Sequence, residues 1–171
     1  MPITQGDIKY YLSGGAGNTN PALSLGGVRS TTQLVDNTGA NLFPNAPGAE
    51  TLAGSNSYLC LLVRNEHGTI TFQNCRFYIT QNTPSDEDEI DIAIGSVAKN
   101  TTEITIANIN TAPAAGITFS HPMTYATGLV VPDLAPNDFF PLWFYRKINA
   151  NLVDPVNINS FKFNVDGDTS A

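Results

Sequence analysis

Cys60, Cys75, His67 and His121 are the only thiols and imidazoles in this chain of 171 residues. A thiol or hydroxyl becomes a nucleophile when a base stands within hydrogen-bond reach. His67 sits in the turn Glu66-His67-Gly68, and His121 precedes Pro122 in a loop. Neither has a serine or cysteine partner at a recognisable spacing, and no Gly-x-Ser-x-Gly elbow occurs. Both histidines read as surface turn residues. The chain reads as a non-enzyme, with no catalytic, cofactor-binding or metal-ligating residue assigned. Cys60 and Cys75 fall on consecutive apolar runs and are expected to lie close together. They read as two small core residues, with a disulfide as the alternative, because disulfide geometry is narrow. No His or further Cys stands at metal-ligand spacing.

Carboxylates form the densest charge, Asp86-Glu-Asp-Glu89 with Asp91. The run could bind calcium or a basic partner, but it lacks the glycine and spaced oxygen ligands of a calcium loop. It reads as a solvated turn, with Asp91 facing outward to protect a sheet edge from wrong pairing. Asp166-Gly-Asp168 is half of a calcium site at most and reads as a polar tail. The sequon at Asn100 has meaning only in a secreted protein. Phe139, Phe140, Trp143, Phe144 and Tyr145 could stack on a sugar, yet bulky residues on both faces of one strand read as core.

These residues need elements to position them. Tyr58–Asn65 and Thr69–Thr80 are long β-branched and aromatic runs flanking a polar turn, the pattern of a β-hairpin. In the first run Leu59, Leu61 and Val63 share one face, while Tyr58, Cys60, Leu62 and Arg64 share the other. Apolar residues on both faces mark a central strand. In the second run the apolar parity moves from Ile70 and Phe72 to Cys75, Phe77 and Ile79. One strand cannot keep a single core across such a slip, so a β-bulge is expected near Asn74. Further strands are expected at 8–12, 90–94, 102–107, 117–119, 128–131, 139–148 and 158–165, with a helical turn around 44–52. In 139–148, Phe140, Leu142, Phe144 and Arg146 share one face. About eight short strands with turn residues between them, and no helical period, predict an all-β fold, an antiparallel β-sandwich of immunoglobulin-like or jelly-roll order. Residues 58–171 form its body. Residues 1–57 supply a first strand and an extended N-terminal arm that packs on the same domain or a neighbour, within a single domain overall. Deleting 1–57 is expected to leave a soluble sandwich.

Charged residues make up only 13% of the chain, with net charge −7 and a pI near 4.5. That balance disfavours nucleic acid, whose phosphates demand Lys and Arg. No apolar run reaches membrane-spanning length, and no secretory signal opens the chain, so synthesis in the cytoplasm is expected.

Several short motifs follow one another in order: Leu12-Ser-Gly-Gly15, Asn18, Ser24-Leu-Gly-Gly27 with Ser30, Asn41-Leu-Phe43, Gly48-Ala-Glu50, Tyr58-x-Cys60, Val63-x-Asn65, Asn82-Thr-Pro-Ser85 and Ile92-x-Ile-Gly95. Leu134-Ala-Pro136 and Val165-x-Gly167-Asp168-Thr169 continue the series. Together they resemble small virion structural proteins of tailed bacteriophages. The resemblance implies a capsid decoration (cement) protein, made in the host cytoplasm and carried on the virion. Its partners would be the major capsid protein and its own copies in a homotrimer, with no cofactor and contacts drawn from residues 13–57. A tail, baseplate or fibre component is the alternative within the same class. A carbohydrate-binding module for host attachment is the alternative outside it.

Overall fold

The computed structural model describes residues 2–35, 41–46, 48–114, 116–150 and 160–169. Seven strands form among them: β1 (Ile8–Leu12), β2 (Ser55–Asn65), β3 (Phe72–Gln81), β4 (Asp88–Ile94), β5 (Leu129–Val130), β6 (Phe139–Ile148) and β7 (Lys162–Thr169). A single-turn helix, α1 (Gly48–Ala53), lies where a helical turn is expected. The strands make an antiparallel sandwich, with one sheet ordered β1-β2-β6-β4 and the other β5-β3-β7. Setting aside the two-residue β5, the larger sheet runs first, second, fifth, fourth. That is the order of the larger immunoglobulin sheet.

The core follows from side-chain alternation. Leu59, Leu61 and Val63 of β2, Ile90 and Ile92 of β4, and Phe140, Leu142 and Phe144 of β6 point between the sheets. They meet Cys75, Phe77 and Ile79 of β3 and Val165 of β7. Phe144 packs edge-on against both Phe77 and Phe163, with centroids 5.5 Å and 4.8 Å away, locking one sheet to the other. The predicted bulge is present. Gln73 faces Asp168 and Arg76 faces Asp166, so one extra residue enters β3 between them. Asn74 takes φ 53°, a left-handed conformation that Asn tolerates better than most residues.

The hairpin is overturned. β2 pairs with β1 and β6, whereas β3 pairs with β5 and β7. Each run carries a full set of core side chains, so the two lie face to face across the core. The crossing is built on polar groups. Asn65 donates through Nδ2 to the carbonyls of Ile70 (2.9 Å) and Leu134 (2.8 Å), and accepts from His67 N–H. His67 Nδ1 accepts from the N–H groups of Thr69 and Ile70.

Two expected strands are single bridges instead. Thr105 meets Gly26, and Ser120 meets Ile92. Both segments are drawn onto the outer face or edge of the larger sheet, where Cys60, Ala93, Ile106 and Trp143 form a second buried cluster under Leu25, Ile104, Ile117 and Phe119. The last strand runs to Thr169, so Asp166–Thr169 are strand and not tail. The expected start of that strand at 158–159 lies outside the described residues. Residues 13–35 and 41–46 pack on their own chain. Leu34, Leu42 and Phe43 belong to the main core, and Leu34 N–H bonds Tyr10 O. A body starting at residue 58 would lack these three side chains and β1, which weighs against the expectation of a soluble 58–171 fragment.

Candidate interaction surface

The two thiols and two imidazoles are scattered over the fold. Cys60 is buried on the outer face of the larger sheet and Cys75 between the sheets; both thiols are free. The expected proximity and the disulfide alternative fall with the hairpin. Burial pushes both thiols up, Cys75 to about 12 and Cys60 well above its ordinary value. His67 caps its turn, as above. His121 lies exposed, with Nδ1 2.6 Å from Ile90 O and 3.3 Å from an Asp91 oxygen, so it fastens its loop to β4.

The acidic run is not one solvated turn. Asp86 and Glu89 are exposed, but Asp88 is buried and held in a fork by Arg146, at 2.8 Å from Nε and 2.6 Å from Nη2. Arg146 also donates to Pro44 O at 2.9 Å, which ties the loop before α1 to the sandwich. Asn100 is engaged as well: Nδ2 donates to Asp138 at 2.6 Å and Oδ1 accepts from Phe139 N–H. Phe140, Trp143 and Phe144 are buried, so they are core and no sugar platform. Phe139 and Tyr145 lie partly open, and Tyr145 is stacked on Tyr58 at 4.8 Å.

Two surfaces remain. One is the loop layer within 13–57. Its first part, residues 13–30, is held by hydrogen bonds: Ser13 Oγ donates to Cys60 O, Gly14 N–H to Gly26 O, and Ser30 Oγ to Asn18 O at 2.6 Å. Yet Leu23, Val28, Val35 and Leu52 on this layer are each more than half exposed. Polar anchoring and exposed apolar side chains thus occur on the same stretch of chain.

The other surface is an open cleft of about 430 Å³ beside the β3 bulge. Asn74 is its hub. Its N–H donates to Asp133 Oδ1 and its Nδ2 to Asp168 Oδ2, both at 2.9 Å, while its carbonyl accepts from Tyr125 O–H at 2.7 Å. The sequence reading placed the bulge at Asn74 but not this role. The parity shift at Gln73-Asn74 marks the position, while the partners lie 51 to 94 residues away.

Among the described residues, no cluster of three or more His, Cys, Asp or Glu side chains could hold a metal ion. No helix among them is long and apolar enough to cross a membrane. No family model, curated protein or solved structure matches the chain.

Proposed function

We propose that this chain is a non-enzymatic structural protein of a bacteriophage virion, a decoration protein that binds the outer capsid surface and stabilises the head. The resemblance of its motifs to such proteins motivates the reading. The observation that carries it is the ordered loop layer with Leu23, Val28, Val35 and Leu52 exposed. A layer already folded on its own chain loses little conformational entropy when it docks.

Magnitudes favour several copies acting together. Fully burying one such side chain contributes about 1.5–3 kcal/mol, so four half-exposed ones contribute on the order of 3–6 kcal/mol. Rigid-body association costs about 4–15 kcal/mol. One protomer therefore binds weakly, and a homotrimer holds by avidity, because each further contact is intramolecular. The major capsid protein is the proposed partner.

The test adds purified chain to heads of the parent phage that lack it, with pelleting as the readout. Leu23→Ser with Val28→Ser should cut retention at least about tenfold at unchanged melting temperature. Unchanged retention, or density for the chain on the tail in images of the intact particle, overturns the reading.

A further inference from the structure

We propose that the cleft at the β3 bulge is a binding site for a neutral saccharide. This goes beyond head decoration, because the cleft is lined by the smaller sheet and its loops, away from the 13–57 layer, and either proposal stands if the other fails.

The size suits a small molecule. About 430 Å³ falls within the range of roughly 300–1,000 Å³ usual for ligand sites. Its lining mixes groups that few ligand classes satisfy together. Asp133 and Asp168 offer carboxylate oxygens as acceptors, and Arg76 offers a guanidinium as donor. Tyr125 and Val130 offer apolar faces, 39% and 59% exposed. The tyrosine ring is fixed on two sides, by its hydroxyl to Asn74 O and by edge contact with Tyr78 at 6.5 Å.

Charge then selects among ligands. Two carboxylates repel an anion such as a phosphate or a sialic acid. Arg76, which makes no ion pair among the described residues and donates to Gly128 O at 3.2 Å, offsets part of the pull that the two carboxylates exert on a lysine or arginine side chain. An uncharged ligand meets no like charge and can use the carboxylates and the guanidinium together as hydrogen-bond partners. A pyranose has hydroxyls that donate to carboxylates and accept from a guanidinium, and it has a C–H face that packs on an aromatic ring. Asn74 sets the geometry before any ligand arrives, since it holds Asp133, Asp168 and Tyr125 through three separate hydrogen bonds. Preorganisation of this kind reduces the cost of binding.

The test is an array of neutral di- and trisaccharides built from glucose, galactose, mannose and N-acetylglucosamine, followed by calorimetric titration of hits. Sialylated and uronate-ended glycans and a lysine-rich peptide are included as rivals. At least one neutral glycan should bind. Tyr125→Ala and Asp168→Asn should each weaken it about tenfold or more. Val130→Asp, on an exposed side chain, should do the same with the melting temperature unchanged. Asn74→Gly keeps the left-handed backbone and loses the hydrogen bond that Asn74 Nδ2 donates to Asp168, so it should weaken binding without unfolding the protein. Three results overturn the proposal: no neutral glycan titrating at millimolar concentration, binding by the charged probes only, or binding that survives Tyr125→Ala and Val130→Asp together.

Discussion

Gly26 lies directly against the indole of Trp143. A β-carbon on Gly26 would stand 3.3 Å from Trp143 Cζ2 and 1.8 Å from Ile104 O. Gly26 also takes φ +87°, which favours glycine. Here the chain segment around Leu25 seals the outer face of the larger sheet, bridging to Thr105. Gly26→Ala should therefore lower stability by about 3 kcal/mol through backbone displacement and strain. In a thermal melt that is a fall of about 6–12 °C for a chain of this size. An unchanged melt would mean that this segment does not seal the sheet.

Ser24 Oγ and Trp143 Nε1 are buried without a hydrogen-bond partner among the described residues. An unsatisfied buried hydroxyl costs about 1–3 kcal/mol. Ser24→Ala removes that cost and should raise the melting temperature by a few degrees, about 2–4 °C per kcal/mol. A fall on this substitution would show that the hydroxyl has a partner in solution.

Asp88 and Arg146 form a forked pair with side chains only 10% and 15% exposed. Removing Arg146 takes away the guanidinium that both Asp88 oxygens accept from. Arg146→Met should destabilise the protein by about 3 kcal/mol or more. Arg146→Met combined with Asp88→Leu should recover part of the loss, because an apolar pair carries no desolvation penalty. Denaturant titration of the two variants checks both signs.

Asp138 gives the fold an acid limit. Burial pushes its carboxyl up, but hydrogen bonds from Lys99, Asn100 and Ala135 N–H outweigh burial and hold it below its ordinary value. A depressed folded value stabilises above the unfolded value of 3.8, and that contribution is lost as pH falls through the folded value. The melting temperature should thus drop below about pH 4. Asp138→Asn should melt lower at neutral pH and show a shallower decline on acidification.

Both cysteines are fully covered and their thiolates strongly disfavoured. The native protein should leave both thiols unmodified by a disulfide reagent and expose two in denaturant. A fragment of residues 58–171 lacks β1 and three core side chains, so it should show no cooperative melt. A cooperative melt would restore the separable arm.

Much was legible along the chain because the relevant physics is local. Alternation in Leu59, Leu61 and Val63, apolar character on both faces of 139–148, and the parity slip at Asn74 depend only on neighbouring residues. They determined strands, a central position for β2, a bulge and a sandwich. Which strands pair is decided by long-range burial. Leu59 and Phe77 both need the inter-sheet space, so β2 and β3 face each other, and Cys60 and Cys75 end in different layers. The same non-local packing folds residues 24–35 onto their own chain, buries Asp88 beside Arg146, and gathers Tyr125, Asp133 and Asp168 around Asn74. No spacing in the sequence encodes those meetings, because each is set by how two twisted sheets share one core.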